Sequence, residues 1–293
     1  MTKQLTWLVT GCSSGLGEAM VKAILTKGDK VIATARASKG ISGSERLSEL
    51  KEAGAAVLEL DVTSPQEELD EIARTAWEVY GHIDVLVNNA GYVESGALEE
   101  MSEELITRSL RANALGPINL TRSFLPMMRA RKTGTLLFVG SVSVYYTRQT
   151  SGTYIGSKAL LEGLATNLAV EVAPFGLRTS ILTFGHFRTD ILLPNKRQSR
   201  APNKVSDYEE INNVAQERTK KAHGSWPGDA RKGCELVVDA VRGEGTCYGR
   251  KLPLRLPIGS DTFGIMREDL QKRLQLCDEW EDIMSKTDRE EMF

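Results

Sequence analysis

The chain of 293 residues carries a formal net charge of −2, with 41% hydrophobic and 26% charged residues. These values are typical of a globular protein with a buried core, and the small net charge predicts no general attraction to nucleic acid or anionic membranes. Apolar stretches do not exceed strand length, so we expect no membrane span. Met1–Thr10 lacks the features of a secretory signal, so we expect a cytoplasmic protein.

The cysteines and histidines are too scattered to indicate a disulfide framework or a metal site. No two of the four cysteines form a C-x-x-C pair, and the three histidines show no ligand spacing. We therefore expect free thiols in a reducing compartment and no bound metal.

Strand-like and helix-like segments alternate along the first two thirds of the chain. The expected strands are Leu5–Thr10, Lys30–Arg36, Ala56–Leu60, Ile83–Val87, Thr135–Val139 and Arg178–Thr183. The expected helices are Leu16–Lys27, Gln66–Tyr80, Ser102–Arg111, Ala114–Arg131 and Tyr154–Val172. Repeated alternation with apolar strands predicts an α/β fold, with a parallel sheet covered by helices on both faces. Such sheets bind ligands beyond the carboxyl ends of their strands.

The alternation stops after Thr189. Residues 190–227 are polar and contain three prolines, which is typical of a lid, a binding loop or a disordered segment. We expect a substrate lid over about 186–227. A helix resumes at Gly228–Arg242, and an amphipathic C-terminal helical tail is expected over about 260–287.

A glycine-rich stretch, Thr10–Gly17, lies between the first strand and its helix. Glycines at 11, 15 and 17 allow the backbone to turn sharply and to approach a pyrophosphate, which the positive helix end would stabilise. The alternative is an ordinary glycine-rich turn, but the position after the first strand of a βαβ unit favours dinucleotide binding.

The end of the second strand favours NADP(H) over NAD(H). A carboxylate at this position would accept the ribose hydroxyl of NAD, whereas Ala35-Arg36-Ala37-Ser38 offers a guanidinium suited to phosphate. The alternative is that Arg36 is a solvated cation.

Tyr154 and Lys158 stand four residues apart on a predicted helix and so share a face. A neighbouring ammonium stabilises a phenolate and lowers the pKa of the phenol, which would make Tyr154 an acid or base. Y-x-x-x-K alone is common, and a surface pair is the alternative. Ser141 and Ser143, after the preceding strand, could hold a substrate oxygen beside the phenol.

Asparagines mark two further positions. Asn113, at a helix start, could anchor a water for proton relay, although a capping or turn role is equally physical. Asn88-Asn89-Ala90-Gly91 ends the fourth strand and could line the cofactor groove or simply form a turn.

Taken together, these motifs resemble the short-chain dehydrogenase/reductase family from about Leu5 to Asp190. The resemblance covers T-G-x-x-x-G-x-G at 10–17, Asp61-Val62, N-N-A-G at 88–91, Asn113, Ser141 and Y-x-x-x-K at 154–158. The T-G-C-S-S-G stretch is similar to that of hydroxysteroid and retinol dehydrogenase-like members. One departure is Phe184-Gly185 where the family usually has Pro-Gly, with Thr189 kept.

The resemblance implies a single Rossmann-type, doubly wound domain and assigns roles to individual residues. Tyr154 would be the general acid or base, Lys158 would lower its pKa and hold the nicotinamide ribose, Ser141 would orient the substrate oxygen, and Asn113 would hold a relay water. The implied cofactor contacts are Gly11, Ser13, Ser14, Gly15, Leu16, Gly17, Arg36, Ser38, Asp61, Val62, Asn88, Ala90, Gly91, Tyr154, Lys158, Phe187 and Thr189. The implied substrate contacts are Ser141, Ser143 and Tyr154. Family members often form homodimers or tetramers.

These features predict an NADP(H)-dependent oxidoreductase that moves a hydride between nicotinamide and a carbonyl or secondary alcohol carbon. Epimerisation or dehydration on the same site, and a non-catalytic NADP(H)-binding regulator, remain alternatives. The substrate is a small molecule, and its wall is expected from Val142, Ser143, Tyr145 and the 186–227 segment. The mixture of apolar and charged residues there favours a partly apolar, medium-sized compound.

Overall fold

The computed structural model describes residues 3–38, 40–189, 191, 203–222 and 224–288. The strands are β1 (Thr6–Val9), β2 (Lys30–Ala35), β3 (Ala56–Glu59), β4 (Val85–Asn88), β5 (Gly134–Val139), β6 (Leu177–Phe184), β7 (Phe187–Arg188), β8 (Gly228–Asp229) and β9 (Arg255–Ile258). Seven of them form one parallel sheet in the order β3-β2-β1-β4-β5-β6-β9, and β7 pairs with β8. The parallel sheet expected from the sequence is therefore confirmed.

Helices cover both faces of this sheet. They are α1 (Gly15–Thr26), α2 (Ser48–Glu52), α3 (Gln66–Tyr80), α4 (Glu103–Leu110), α5 (Gly116–Arg131), α6 (Gly152–Val172), α7 (Glu209–Ala222), α8 (Ala230–Arg242) and α9 (Ser260–Met284). One apolar core lies under α1, α2 and α8, and a second lies under α3, α5 and α6. Side chains of a strand alternate between the faces, so Trp7 and Val9 enter the first core and Leu8 the second. The doubly wound Rossmann-type fold follows from this arrangement.

The strand order reverses at β1. The chain passes from β1 outward to β2 and β3, and then returns to β4 on the other side of β1. Crossovers on either side of this point leave a crevice beyond the carboxyl ends of β1 and β4, where open α/β sheets bind ligands. The glycine-rich stretch and the asparagine motif both lie at this crevice.

The edge strand β9 was not expected from the sequence. Its residue Pro257 pairs with Thr183 of β6, and proline cannot donate a hydrogen bond to a further strand. At the edge of the sheet this donor is not required, so proline is tolerated there. The prolines at 253 and 257 therefore masked β9 in the sequence, although this strand extends the sheet beyond β6.

The segment that was expected to form a lid lies partly outside the described residues, at 190, 192–202 and 223. Its described part contains α7, which was not expected. Three hydrogen bonds attach this region to the turn at 98–100. Tyr208 Oη donates to Glu99 Oε2 at 2.9 Å, and Glu100 accepts from the Val205 amide at 3.2 Å and from Asn212 Nδ2 at 2.8 Å. The bond from Asn212 also lowers the pKa of the Glu100 carboxyl.

The C-terminal region forms α9, whose surface is largely exposed beyond its first turn. Asp261 and Thr262 in that first turn contact the end of β6, so the helix begins beside the crevice. Across the described ranges, no helix has both the length and the apolar character needed to cross a membrane.

Candidate active site

A cavity of about 560 Å³ opens at the carboxyl ends of the central strands. It runs from the glycine-rich loop to α6 and α7. Its lining brings together most of the residues that the sequence indicated: Gly11, Ser13, Ser14, Gly15, Leu16, Arg36, Ser38, Asp61, Val62, Ala90, Gly91, Ser141, Ser143, Tyr154, Lys158, Phe187 and Thr189. Three others, Gly17, Asn88 and Asn113, are not part of the lining.

The glycine-rich loop is shaped by backbone requirements and by close packing. Gly11 and Gly15 adopt φ values of +72° and +63°, which strongly favour glycine. A side chain at Gly17 would collide with the Gly11 carbonyl and would lie 2.6 Å from Asn89 Nδ2. Gly17 therefore allows α1 to pack against the loop rather than contacting a ligand. Gly15 and Leu16 at the start of α1 line the cavity, and the start of a helix is where backbone amides can bind an anion.

Asn89, rather than Asn88, holds the loop in place. Asn89 Nδ2 donates to the Thr10 carbonyl at 2.7 Å, whereas Asn88 Nδ2 donates to Thr121 Oγ1 of α5 at 3.0 Å. Successive residues of a strand point to opposite faces, which turns the Asn88 side chain away from the cavity. The expectation that Asn88 lines the cofactor groove is therefore wrong for its side chain.

A second arginine, which the sequence interpretation missed, lies near the end of β2. Arg46 donates from Nη2 to Ser13 Oγ at 3.0 Å and from Nη1 to the Arg36 carbonyl at 2.8 Å. Arg36 itself is half-exposed, and its Nη1 lies 4.0 Å from Asp61 Oδ2. Together with Ser38, these groups give the end of the cavity beside β2 two guanidinium groups and two hydroxyls. No local motif marks Arg46, because only the fold of the loop brings it to Ser13.

Ser141 and Tyr154 both line the cavity and lie within hydrogen-bonding distance of each other. Ser143 Oγ donates to Ser141 Oγ at 2.8 Å, which orients the Ser141 hydroxyl. Burial raises the pKa of Tyr154, and hydrogen bonding with Ser141 offsets only part of that rise. The neighbouring Lys158 predicts a lowered pKa for Tyr154. In the folded chain without a ligand the direction is the opposite, because burial penalises the phenolate.

Lys158 lies one helical turn beyond Tyr154. Its Nζ donates to the Val139 carbonyl at 2.8 Å, and burial lowers its pKa from 10.5 to about 8. A side chain added at Gly91 would lie 3.6 Å from this Nζ and 2.9 Å from Asn113 Oδ1. The glycine therefore leaves the space beside the lysine and the asparagine open.

Asn113 lies inside a π-helical turn, Arg111–Leu115, that joins α4 to α5. Single π turns occur frequently at functional sites. The amide of Asn113 is fully buried: Nδ2 donates to the Tyr92 carbonyl at 2.9 Å and to Ser157 Oγ at 3.0 Å, and Oδ1 accepts from the Tyr92 amide at 3.0 Å. Asn113 therefore does not cap a helix. It joins the loop after β4 to α6.

A hydrogen-bonded chain that the sequence did not indicate forms the wall beyond Tyr154. Tyr146 Oη lies 3.2 Å from His186 Nε2, and His186 Nδ1 lies 2.6 Å from Asp261 Oδ2. The Trp226 ring packs against the His186 ring, with 5.1 Å between centroids. Tyr145, expected in this wall, instead donates to Glu162 Oε1 at 3.1 Å and does not line the cavity.

Phe184 replaces the proline that the family usually has at the end of the sixth strand. Its ring is buried and meets the Phe187 ring edge-on at 5.1 Å. The Gly185 amide donates to the Ile258 carbonyl at 2.9 Å. Packing and β9 therefore hold this turn, and Thr189 remains in the cavity lining beside Gly15.

Comparison with known proteins gives the class of protein that this fold and cavity define. The sequence profile of the short chain dehydrogenase family matches residues 6–200. Oxidoreductase BOA17 of Botryotinia fuckeliana is 32% identical over 267 residues, which cover 89% of this chain and 90% of that relative. The chain belongs to the short-chain dehydrogenase family and is an oxidoreductase of that family.

Solved structures agree with this assignment. A short-chain dehydrogenase from Streptomyces avermitilis superposes with a TM-score of 0.83 and 33% identity, covering 98% of this chain and 99% of that one. A family member from Burkholderia phymatum in complex with NAD has a TM-score of 0.77 and 21% identity, covering 93% and 96%, and shows the shared fold. Other structures of this fold contain NADPH or NADP+. Similar proteins thus bind either dinucleotide.

Proposed function

We propose that the protein is an NADP(H)-dependent oxidoreductase that transfers a hydride between nicotinamide and a carbonyl or secondary alcohol carbon. The observation that carries this proposal is the position of Tyr154 and Ser141. Both face one cavity whose other end is the glycine-rich loop at the start of α1. A reacting carbon and a dinucleotide could therefore occupy the same space.

The residues of the cavity fit a dinucleotide. The positive φ of Gly11 and Gly15 exposes backbone at the start of α1, where the amides suit a pyrophosphate. Asp61 and Val62 line the part of the cavity suited to adenine, and Ala90 and Gly91 line the part suited to the adjoining ribose. When bound, the nicotinamide supplies or accepts the hydride.

The side chains around the reacting carbon have separate roles in binding and proton transfer. Ser141 orients the substrate oxygen, and Tyr154 donates a proton to it in reduction or takes a proton in oxidation. With its pKa raised by burial, the phenol is protonated at neutral pH, as a proton donor in reduction must be. Lys158 is charged below about pH 8 and would hold the nicotinamide ribose. Asn113 is a positioning residue, since its amide fixes α6 through Ser157.

The preference for NADP(H) is supported by the charge at the adenosine end of the cavity. Arg36 and Arg46 supply guanidinium donors, and Ser13 and Ser38 supply hydroxyls. Asp61 is the carboxylate that approaches this cluster, and Arg36 faces it at 4.0 Å. A 2′-phosphate would meet two cations here, whereas the hydroxyl of NAD would offer neither guanidinium an anionic partner.

We further propose that the single domain carries a cover for this cavity. Arg218, Thr219 and Ala222 of α7 line the cavity, so the described part of the 186–227 segment contributes to its wall. Hydrogen exchange of α7 with and without NADPH tests this role. Slower exchange in the NADPH complex supports a closing lid, and equal exchange in both states argues against it.

The proposed reaction is tested by mixing the protein with NADPH and a panel of aldehydes and ketones. We expect NADPH absorbance to fall with formation of one equivalent of alcohol. Product formation without net loss of NADPH would instead indicate epimerisation or dehydration. Tight NADPH binding with no turnover across the panel would indicate a non-catalytic regulator.

A further inference from the structure

Two arginines line the cavity beyond Tyr154, on the side away from the adenosine end. Arg148 follows the turn that carries Tyr146, and Arg218 lies on α7. Both are half-buried. Neither guanidinium forms an ion pair with a carboxylate anywhere in the part of the chain that the structure describes. By contrast, Arg242 bonds to both Asp29 and Glu244.

Among the described residues, the two guanidinium groups of Arg148 and Arg218 are surrounded by packed side chains rather than by a counter-ion. The guanidinium of Arg148 lies over the Tyr146 ring, 5.0 Å from its centroid. Burial lowers the pKa of Arg218, and the charge of Arg148 lowers it further, so the two cations act on each other. Half-buried cations are usually paired, and placing two like charges together costs free energy. An anion bound between them would remove that cost.

The surroundings indicate what kind of molecule would carry the anion. Tyr146 lies close enough to Tyr154 to raise its pKa, and the rings of His186 and Trp226 continue the wall beside it. Asp261 is bonded to His186 from outside the cavity lining, so it offers no carboxylate to the two arginines there. From the reacting phenol outward, the wall is therefore first aromatic and then cationic.

We propose that Arg148 and Arg218 bind an anionic group, a carboxylate or a phosphate, on a substrate whose apolar or aromatic body spans the wall from Tyr154. This inference rests on the proposed function, because the carbonyl or alcohol of the same substrate would lie at Ser141 and Tyr154. It narrows the substrate class to acidic carbonyl compounds and the corresponding alcohols.

Three matched aldehydes test the proposal with NADPH: para-carboxybenzaldehyde, its methyl ester and para-formylphenyl phosphate. We expect kcat/KM for an anionic aldehyde to exceed that for the ester by about tenfold or more, the effect of ~1.4 kcal/mol. In Arg148→Gln and Arg218→Gln we expect kcat/KM for the anionic aldehyde to fall to the value for the ester in the same variant. Arg267→Gln, an exposed arginine of α9 outside the cavity, controls for net charge.

A measurement of aldehyde binding distinguishes failure of the anion site from failure of the proposed function. Equilibrium dialysis of the anionic aldehydes against NADPH-loaded Tyr154→Phe measures affinity without turnover. Binding that is lost when Arg148→Gln or Arg218→Gln is added supports the anion site, even if no variant turns over any aldehyde. Equal kcat/KM for acid and ester in the wild type overturns the anion site and leaves the proposed function intact.

Two further outcomes show whether the arginines belong to the cofactor site or to the anion site. If Arg148→Gln and Arg218→Gln weaken NADPH binding and leave binding of the acids unchanged, both arginines belong to the cofactor site and the proposal is overturned. A preference for the phosphate over the carboxylate supports the anion site and identifies phosphate as its group.

Discussion

Asp261 holds His186 by two hydrogen bonds to one oxygen: Oδ2 accepts from the backbone amide at 2.9 Å and contacts the ring Nδ1 at 2.6 Å. The two residues are far apart in sequence and come from the start of α9 and the turn after β6. A side chain at Gly185 would collide with the same carboxylate. The tail helix therefore fixes the turn at which the family usually relies on proline.

Replacing Asp261 tests this connection. We expect Asp261→Ala to lower the free energy of unfolding by about 1.5–3 kcal/mol, the range for hydrogen bonds to a charged group. KM for the carbonyl substrate should rise, because His186 and Tyr146 lose their support. Urea unfolding and steady-state kinetics measure both effects. Asp282→Ala, at an exposed position of α9, is the matched control. Equal stability of the two variants would show that the bonds contribute nothing.

Arg46 tests the origin of the cofactor preference. We expect Arg46→Gln to weaken NADPH binding by about tenfold, because a charge-assisted contact to phosphate contributes ~1.5–3 kcal/mol. NADH affinity should change little, since NADH lacks this phosphate. Fluorescence titration with both dinucleotides gives the ratio of the two affinities. Arg74→Gln, at an exposed position of α3, is the control. A parallel loss for NADPH and NADH would place Arg46 outside the phosphate site.

Lys158 gives a pH dependence of stability whose sign is unusual for lysine. Its pKa is about 8 in the folded chain, against an ordinary value of 10.5. Between these pH values the unfolded chain binds more protons at Lys158 than the folded chain does, so the contribution of Lys158 to stability rises with pH. Below pH 8 both states are protonated, and burial of the charged ammonium lowers the stability of the folded chain. We expect wild-type stability to increase relative to Lys158→Met from pH 8 towards pH 10. Lys51→Met, at an exposed position, should keep the wild-type slope. Identical slopes in wild type and Lys158→Met would refute a buried ammonium.

Local patterns predicted much of the fold and the core of the candidate site. The glycines at 11, 15 and 17 and the pair Tyr154 and Lys158 lie within single turns or loops, so their spacing in the sequence sets their spacing in the structure. Apolar runs likewise placed six of the seven strands of the central sheet, all except the edge strand β9.

Long-range contacts and burial could not be predicted in the same way. Arg46 reaches Ser13, and Asp261 reaches His186, only because separate crossovers end at one crevice. The sequence did not show which of Asn88 and Asn89 faces the cavity, because that depends on the face of the sheet to which each side chain points. The pKa of Tyr154 depends on burial, which the sequence does not show, and its direction was therefore wrong.

The central claim is that Tyr154 supplies the proton while the remaining cavity binds the cofactor. The most direct measurement compares wild type with Tyr154→Phe in NADPH affinity and in turnover of a carbonyl substrate. We predict that NADPH affinity stays within about twofold and that kcat falls by about a hundredfold or more, the contribution of general acid catalysis. An unchanged kcat in Tyr154→Phe would contradict the account.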